Sequence, residues 1–332
     1  MDSWKQWRVL CPENRQKERI PTFAINDDLK NIFMSPGTKF DAWSKLARPV
    51  HPSQVQSNEG KLIRNPYTRT SVPGWSTIEG LSNEILDIVI RFLLPEKSDL
   101  VALGFSSERF WPLVRRHIQL DILQTAAPWA GKKVAFQHSE STDLPPSFRE
   151  DGFLQEIGRG DGTGSMCEAQ RFFWALYDTP SCLKDEHLVW RGAIVEHAGK
   201  ILIPDGRWKQ LEEDMQCLEF FPDSQPWILR NLTTRESVSS AKLGARVMSE
   251  DGSRGIEDFN FILLMRTCWS NDPGACANLN IHRGVWAGHR FDIVTQAFHE
   301  SEVCLEDWRD VTEEVDLEAR SLKQRFANRR YY

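Results

Sequence analysis

Four side chains in the last third of the sequence are of the types that bind transition metals: Cys268, Cys276, His282 and His289. A structural zinc site usually contains a pair of cysteines roughly two to four residues apart. Here seven residues separate Cys268 from Cys276, and Cys268 lies in a strongly apolar run. This spacing favours a buried thiol and hydrogen-bonded or exposed histidines. The sequence therefore predicts no metal and no other cofactor.

Nucleophilic catalysis needs a cysteine or serine whose proton a neighbouring base can take. Cys304 lies close to His299, and Cys182 lies close to His187, but closeness in sequence does not establish contact. The Gly-x-Ser-x-Gly motif of hydrolases is absent. The glycine-rich stretch Gly158–Ser165 lacks the lysine of a P-loop, and it has threonine where a dinucleotide-binding motif needs glycine. The sequence predicts a loop there and a protein that is not an enzyme.

A group of aromatic side chains and one histidine in the C-terminal part of the chain could line a recognition pocket. Tryptophan is a frequent anchor of protein interfaces, but large aromatic rings also fill protein cores. The sequence leaves both possibilities open for Trp227, Trp269, Trp286, His289 and Phe291.

Composition excludes several classes of function. With 332 residues, 40% of them hydrophobic, the chain is long enough for about two domains. The net charge of -6 argues against nucleic-acid binding, for which a basic surface is expected; the basic stretch 325–332 reads as a solvated helix end. No apolar run could span a membrane, and the N-terminus has no secretory signal. Seven scattered cysteines indicate reduced thiols, and so the cytoplasm or the nucleus.

Residues 81–117 have the clearest pattern, LSNEILDIVIRFLLPEKSDLVALGFSSERFWPLVRRH. Apolar side chains recur there at helical spacing, at Leu81, Ile85, Ile88 and Phe92. A second apolar set lies beside them, at Leu86, Val89, Ile90 and Leu93. Pro95 is expected to end this helix, Gly104 to end a second one that starts at Ser98, and a third to run to about Gln124. Three short helices cannot enclose a core alone, so this segment is expected to dock an apolar face on something else.

This run resembles an F-box. It opens with Leu81-Ser82-Asn83-Glu84, continues with spaced aliphatic residues and the pair Asp99-Leu100, and closes with Ser107-Glu108-Arg109-Phe110-Trp111. Ser82 stands where the family has proline, and Glu108 stands where the family usually has a basic residue. The resemblance covers roughly an eighth of the chain.

An F-box implies binding to a Skp-type adaptor and, through it, to a cullin ubiquitin ligase. The residues that the resemblance implies for the adaptor contact are Leu81, Ile85, Leu86, Val89, Leu93, Leu100, Leu103, Phe110 and Trp111. Two later stretches, Trp227–Glu236 and Ile281–Ile293, resemble the C-terminal region of a group of filamentous-fungal F-box proteins. The resemblance thus implies a fungal, non-catalytic substrate receptor whose C-terminal domain recruits a target protein for degradation. The alternative is a structural or ligand-binding protein whose F-box-like helices pack only within their own chain.

The expected fold is α+β, with a three-helix F-box followed by a mixed, strand-rich C-terminal domain that has a terminal helix. The expected domains are a polar, proline-interrupted region and linker (1–72), the F-box (73–120) and an α+β domain for target recognition (128–332). Strands are expected at 133–136, 188–195, 200–203, 227–232, 259–269 and within 284–298. Helices are expected at 27–46, divided by Pro36-Gly37, at 168–177, at 208–218 and from 310 onward.

Overall fold

The computed structural model describes residues 6–20, 29–34, 40–50, 78–107, 109–150, 166–178, 190, 192–196, 220–222, 224–244, 256–271, 281–302 and 307–328. Its strands are β1 (Trp7–Cys11), β2 (Gln16–Arg19), β3 (Lys132–His138), β4 (Tyr177–Asp178), β5 (Trp227–Asn231), β6 (Glu236–Ser239), β7 (Cys268–Trp269), β8 (His289–Thr295) and β9 (Arg309–Asp310). Its α-helices are α1 (Leu29–Met34), α2 (Ala42–Leu46), α3 (Asn83–Leu93), α4 (Lys97–Ser106), α5 (Phe110–Thr125), α6 (Pro146–Arg149), α7 (Glu168–Ala175), α8 (Ser240–Gly244), α9 (Ile256–Thr267), α10 (Gln296–Glu302) and α11 (Thr312–Asn328). Residues 192–196 are also helical.

The chain divides into two compact units, and each is assembled from separate stretches of sequence. Unit 1 contains residues 1–48, 127–182 and 224–332, and unit 2 contains residues 49–126 and 183–223. The nine described strands all belong to unit 1, whereas helices α3, α4 and α5 belong to unit 2. This mixture of helices with one sheet confirms the predicted α+β class.

The sheet of unit 1 has the strand order β4-β2-β1-β3-β8-β5-β6-β9, and β7 pairs with β3 beside this path. Its central pairs, β1 with β3, β3 with β8 and β8 with β5, are antiparallel. Both edges are short strands that pair in parallel, β4 with β2 and β9 with β6. Edge strands of two residues leave little free backbone for pairing with other chains.

Each face of this sheet packs on helices. Ala135 of β3 lies in a buried cluster with residues of α6 and α7, among them Phe148 and Phe172. Phe136 points to the opposite face because side chains alternate along a strand. There its ring approaches Phe33 of α1. The sheet thus forms the middle layer of unit 1.

The run 259–269, predicted as a strand, is a helix. Helix α9 extends to Thr267, and a strand is present only at Cys268 and Trp269. Every residue from Phe261 to Cys268 is buried. A helix that is enclosed on all sides shows no apolar stripe, so periodicity cannot distinguish it from a buried strand.

The strand predicted at 188–195 is also wrong for the described residues. Trp190 and residues 192–196 are helical, and the buried side chains Trp190 and Ile194 are four residues apart, as on one face of a helix. Its predicted hairpin partner at 200–203 and the helix predicted at 208–218 lie outside the described residues, as does the loop Gly158–Ser165.

Several other elements are confirmed. Strands β3, β5 and β8, helix α7 and the terminal helix α11 lie where they were expected, within a few residues. The expected helix at 27–46 is divided into α1 and α2. Asp316 and Arg320, four residues apart on α11, form an ion pair at 2.9 Å. Strands β1 and β2, in a region read as polar and proline-interrupted, were not predicted.

The three helices of unit 2 differ from expectation at one point, the end of α4. Helix α3 ends at Leu93, before Pro95, as expected. Helix α4 runs through Gly104 rather than ending there. Helix α5 begins at Phe110, so Pro112 lies in its first turn, where the backbone N–H has no acceptor within the helix.

The core of unit 2 combines these helices with a segment from later in the chain. Helices α3, α4 and α5 contribute residues such as Ile90, Phe105 and Trp111, and the later segment contributes Trp190, Ile194 and Phe220. The indole N–H of Trp190 donates to Asp121 Oδ2 at 2.9 Å. Part of the apolar surface of the three helices is therefore covered by their own chain.

Gly104 allows α4 and α5 to approach closely. A Cβ added at Gly104 would lie 2.9 Å from Cε3 of Trp111 and 3.2 Å from Cγ1 of Val114. Overpacking of a core typically costs about 1–3 kcal/mol, and the helix propensity of alanine offsets at most about 1 kcal/mol of this. We predict that Gly104→Ala lowers the free energy of unfolding by about 1–2 kcal/mol, measured by urea unfolding monitored by circular dichroism.

Gly192→Ala is the matched control, because it lies in the helical segment 192–196 of the same unit and a Cβ there would meet nothing within 4 Å. It should be neutral or slightly stabilising. Equal effects of the two substitutions would contradict the close approach of α4 to α5.

Candidate functional site

A row of exposed apolar side chains follows the outer side of α3. The row consists of Leu81, Ile85, Ile88 and Phe92, which are 37%, 46%, 64% and 84% exposed, and is called the α3 row below. Ile85, Ile88 and Phe92 are three and four residues apart and so lie on one face of α3, and Leu81 lies two residues before this helix begins. Single exposed apolar residues are common on proteins, but a continuous row usually marks a surface that binds something.

The opposite side of α3 is buried. Leu86 and Ile90 have no exposed surface, and Ile90 lies in the core shared with α4 and α5. Helix α3 therefore has apolar side chains on two sides, of which unit 2 encloses one. The hydrophobic effect would favour covering the other.

The structure divides the nine residues predicted for the adaptor contact into three groups. Leu81 and Ile85 are exposed and belong to the α3 row. Val89, Leu93 and Leu103 are half-buried. The other four lie in the interior and present no surface to a partner: Leu86, Leu100, Phe110 and Trp111.

Two members of the α3 row, Ile88 and Phe92, are missing from the predicted contact. Their helical spacing with Leu81 and Ile85 is visible in the sequence and could have identified them. The family pattern instead drew attention to Leu86 and Leu100, which the structure assigns to the core.

Polar contacts hold the start of α3 against α5. The guanidinium Nη2 of Arg109 donates to the carbonyl oxygen of Leu81 at 2.7 Å and to Asn83 Oδ1 at 2.9 Å. Nε2 of His117 lies 2.9 Å from Asp87 Oδ1. The hydrogen bond to His117 holds the pKa of the Asp87 carboxyl below its usual range. These contacts fix the direction in which the α3 row points.

The aromatic group in unit 1 is mostly core. Trp227, Trp286 and Phe291 are buried, whereas Trp269 and His289 are half-buried. Trp227 packs edge-on against Trp43, with ring centroids 4.5 Å apart, and Trp286 lies 5.8 Å from Phe291. These contacts fill space between elements, so the five residues do not share one pocket.

A buried charge cluster lies at the pairing of β5 with β8. Arg230 and Asp292 face each other across these strands and form two hydrogen bonds, both 2.8 Å long. Arg48 approaches Asp292 Oδ2 at 2.7 Å, and Glu302 accepts from Arg230 at 3.0 Å. Burial alone would lower the pKa of Arg230, but Asp292 and Glu302 raise it overall. Breaking such a buried pair typically costs about 3–5 kcal/mol, which suits a structural role.

The metal-binding side chains do not form a centre among the described residues, where no group of three His, Cys, Asp or Glu could hold an ion. Cys268 is buried in β7, and Cys276 lies outside the described residues, as do Cys182, His187 and Cys304. Burial raises the pKa of the Cys11 thiol to about 12, so this cysteine is a poor nucleophile. No described helix has both the length and the apolar character needed to cross a membrane.

No protein-family model, no curated protein and no solved structure matches this chain. A function can therefore be proposed only from the residues and their geometry.

Burial of His299 beside the charge cluster makes the stability of unit 1 depend on pH. The ring of His299 is buried and packs edge-on against Trp308. Burial lowers its pKa, and the nearby Arg230 lowers it further, against the opposing effect of Glu300, Asp292 and Glu302. The folded state therefore holds His299 neutral at a pH where the unfolded chain, with an ordinary pKa near 6.5, binds a proton. The stability that this gives is complete above about pH 6.5 and is lost as pH falls through the lower folded pKa.

We predict that the urea midpoint of the wild-type chain falls more steeply between pH 7 and pH 5 than that of His299→Gln. Carboxylates titrate in both proteins, so the difference between the two slopes isolates His299. The half-buried His282, on the segment before β8, provides the control variant His282→Gln. Parallel slopes for wild type and His299→Gln would show that His299 does not couple folding to protons.

Proposed function

We propose that this chain is an F-box substrate receptor of an SCF-type ubiquitin ligase. In this proposal the α3 row docks on a Skp-type adaptor, which connects the chain to a cullin ubiquitin ligase. Unit 1 then recruits a target protein for ubiquitin-dependent degradation in the cytoplasm or the nucleus. The chain itself supplies no catalytic residue, and it binds neither nucleic acid nor a membrane.

The observation that carries the proposal is the uncovered apolar face of α3. Leu81, Ile85, Ile88 and Phe92 form a continuous row on a helix whose other side is already packed. Burying one large aliphatic or aromatic side chain contributes about 1.5–3 kcal/mol. Four such side chains could offset the several kcal/mol that association costs.

The burial pattern also revises the contact predicted from the sequence. The expected adaptor surface consists of the α3 row, with the half-buried Val89 and Leu93 beside it. Leu86, Leu100, Phe110 and Trp111 support this surface from inside. Substituting them would unfold unit 2 and would not test adaptor binding specifically.

The mechanism that follows is proximity. A receptor that binds adaptor and target at once holds the target near the ubiquitin-conjugating enzyme of the ligase, so their encounter becomes effectively intramolecular. The two units suit this division of labour, because one carries the apolar row and the other carries the sheet.

A second candidate function is a self-contained structural or ligand-binding protein. The observation that favours it is the packing of Trp190, Ile194 and Phe220 into the core of unit 2, which covers part of the helical surface within the chain. Expression without an adaptor discriminates the two: a bare α3 row should make the chain aggregate, whereas a self-contained protein should remain monomeric.

We predict that the double variant Ile88→Asp with Phe92→Asp no longer co-purifies with a co-expressed Skp-type adaptor. Both side chains are largely exposed, so the circular dichroism spectrum and the unfolding midpoint should be close to those of the wild type. Carboxylates in an apolar interface would lose hydration without gaining partners. The measurement is affinity co-purification quantified against the amount of receptor.

Leu317→Asp is the matched control, because Leu317 lies on α11 of unit 1 and is 65% exposed, almost the same as Ile88. It makes the same apolar-to-acidic change and should leave the adaptor bound. Retention of the adaptor by the Ile88 and Phe92 double variant would rule out the α3 row as its docking surface.

A further inference from the structure

Unit 1 contains a groove of about 460 Å³ between the end of α9, the segment before β8 and helix α11. Its walls carry three arginines, apolar side chains, Ser321 and one carboxylate, Glu318, which is paired with Arg266. The ones that matter below are Met265, Arg266, Arg283, Val285, Leu317 and Arg325.

The floor of the groove is fixed by a close approach of two backbones. The N–H of Gly284 donates to the carbonyl oxygen of Cys268 at 2.7 Å, and the N–H of Trp286 donates to that of Arg266 at 2.8 Å. A Cβ at position 284 would collide with the carbonyl group of Arg266. Glycine is therefore required for this segment to lie against the end of α9.

Two of the three arginines in the groove are already paired. Arg266 is buried over the Trp286 ring and binds Glu314 and Glu318. Arg283 lies 4.2 Å from the centre of the Trp269 ring and binds Asp143 at 2.9 Å. The charges of these two arginines are thus balanced by carboxylates of unit 1.

Arg325 is different. It is exposed, near the end of α11, and forms no ion pair with any residue that the structure describes. It lines the same groove as Arg283, and no described residue pairs with its guanidinium, so a carboxylate bound there could accept its hydrogen bonds. In a chain of net charge -6, an uncompensated arginine in a groove favours an acidic ligand.

The groove also has an apolar part, which would bind an apolar side chain of a ligand. Val285 and Leu317 are 67% and 65% exposed and stand on its two sides, with the buried Met265 and Leu322 beneath. An aliphatic side chain bound in the groove would remove apolar surface of these residues from water. The groove therefore matches a ligand with an aliphatic side chain next to a carboxylate.

We propose that this groove is the recognition site of unit 1 and that it binds a peptide segment of the target in which an acidic residue lies next to an aliphatic one. The inference rests on the proposed function, since it names the class of target that the receptor would recruit. A carboxylate of the segment pairs with Arg325, and a neighbouring aliphatic side chain lies between Val285 and Leu317.

The test uses the purified full-length chain and fluorescein-labelled peptides, read by fluorescence anisotropy. The probes are a short peptide of alternating leucine and aspartate and two matched peptides in which asparagine or lysine replaces every aspartate. We expect the aspartate peptide to bind about tenfold tighter than the asparagine peptide, the lysine peptide not to bind, and the preference to weaken as salt screens the charges.

Two variants decide whether the groove is responsible. Arg325→Glu should remove the preference for aspartate, and Leu317→Asp should weaken the binding of both aspartate and asparagine peptides. Arg320→Glu makes the same charge change on α11 but lies outside the groove lining, and it should leave the preference intact. Thermal unfolding of each variant verifies that α11 remains packed.

Equal affinity for the three peptides, or an equal loss with Arg320→Glu and Arg325→Glu, would overturn the inference. Neither result depends on the adaptor, because the peptide assay contains none. Conversely, the Leu317→Asp variant should still co-purify with the adaptor. The peptide assay thus tests the groove alone, and co-purification tests the α3 row alone.

Discussion

Helix α3 has more apolar surface than unit 2 can enclose, and this constraint shapes what the unit can do. A helix at the surface of a soluble protein normally has one apolar stripe. In α3, Leu86 and Ile90 face the core while the α3 row faces outward. Rotating the helix would not solve the problem, because it would expose one set as it buried the other. The hydrophobic effect therefore favours any contact that covers the α3 row.

Unit 1 is built on a different principle. Two of its central strands, β5 and β8, are joined by a buried charge pair, Arg230 with Asp292. Arg48, just after α2, and Glu302 of α10 add contacts to this pair. An ion pair of this kind is sensitive to geometry, because a displaced partner leaves a charge without hydration. The groove lies elsewhere in the unit, so its side chains are free to differ without disturbing this centre.

Sequence reasoning succeeded where local signals were strong. Pro95 marks the end of α3, short apolar runs mark β3 and β5, and the charged, periodic tail forms α11. It failed for 259–269 and 188–195, because buried runs lack a period that separates helix from strand. Strands β1 and β2 were missed because their stability comes from pairing with each other and with β3, far away in sequence.

The candidate sites were predictable to different degrees. The α3 row could be predicted from the helical spacing of its four apolar residues, although the family pattern pointed to some of their buried neighbours instead. The groove could not be predicted, because it joins the end of α9, the segment before β8 and α11, whose proximity only the fold creates. The neighbouring sequence does not show that position 284 requires glycine, because the requirement comes from the backbone carbonyl of Arg266, which leaves no room for a Cβ.

The interleaving of the two units has a consequence for synthesis on the ribosome. Helices α3, α4 and α5 emerge before Trp190, Ile194 and Phe220, the side chains that complete their core. At roughly 5–20 residues per second, the nascent helices spend seconds with apolar surface open on both sides of α3. A protein that bound the emerging segment in that interval would shield it from aggregation, so the order of translation itself favours early binding at α3.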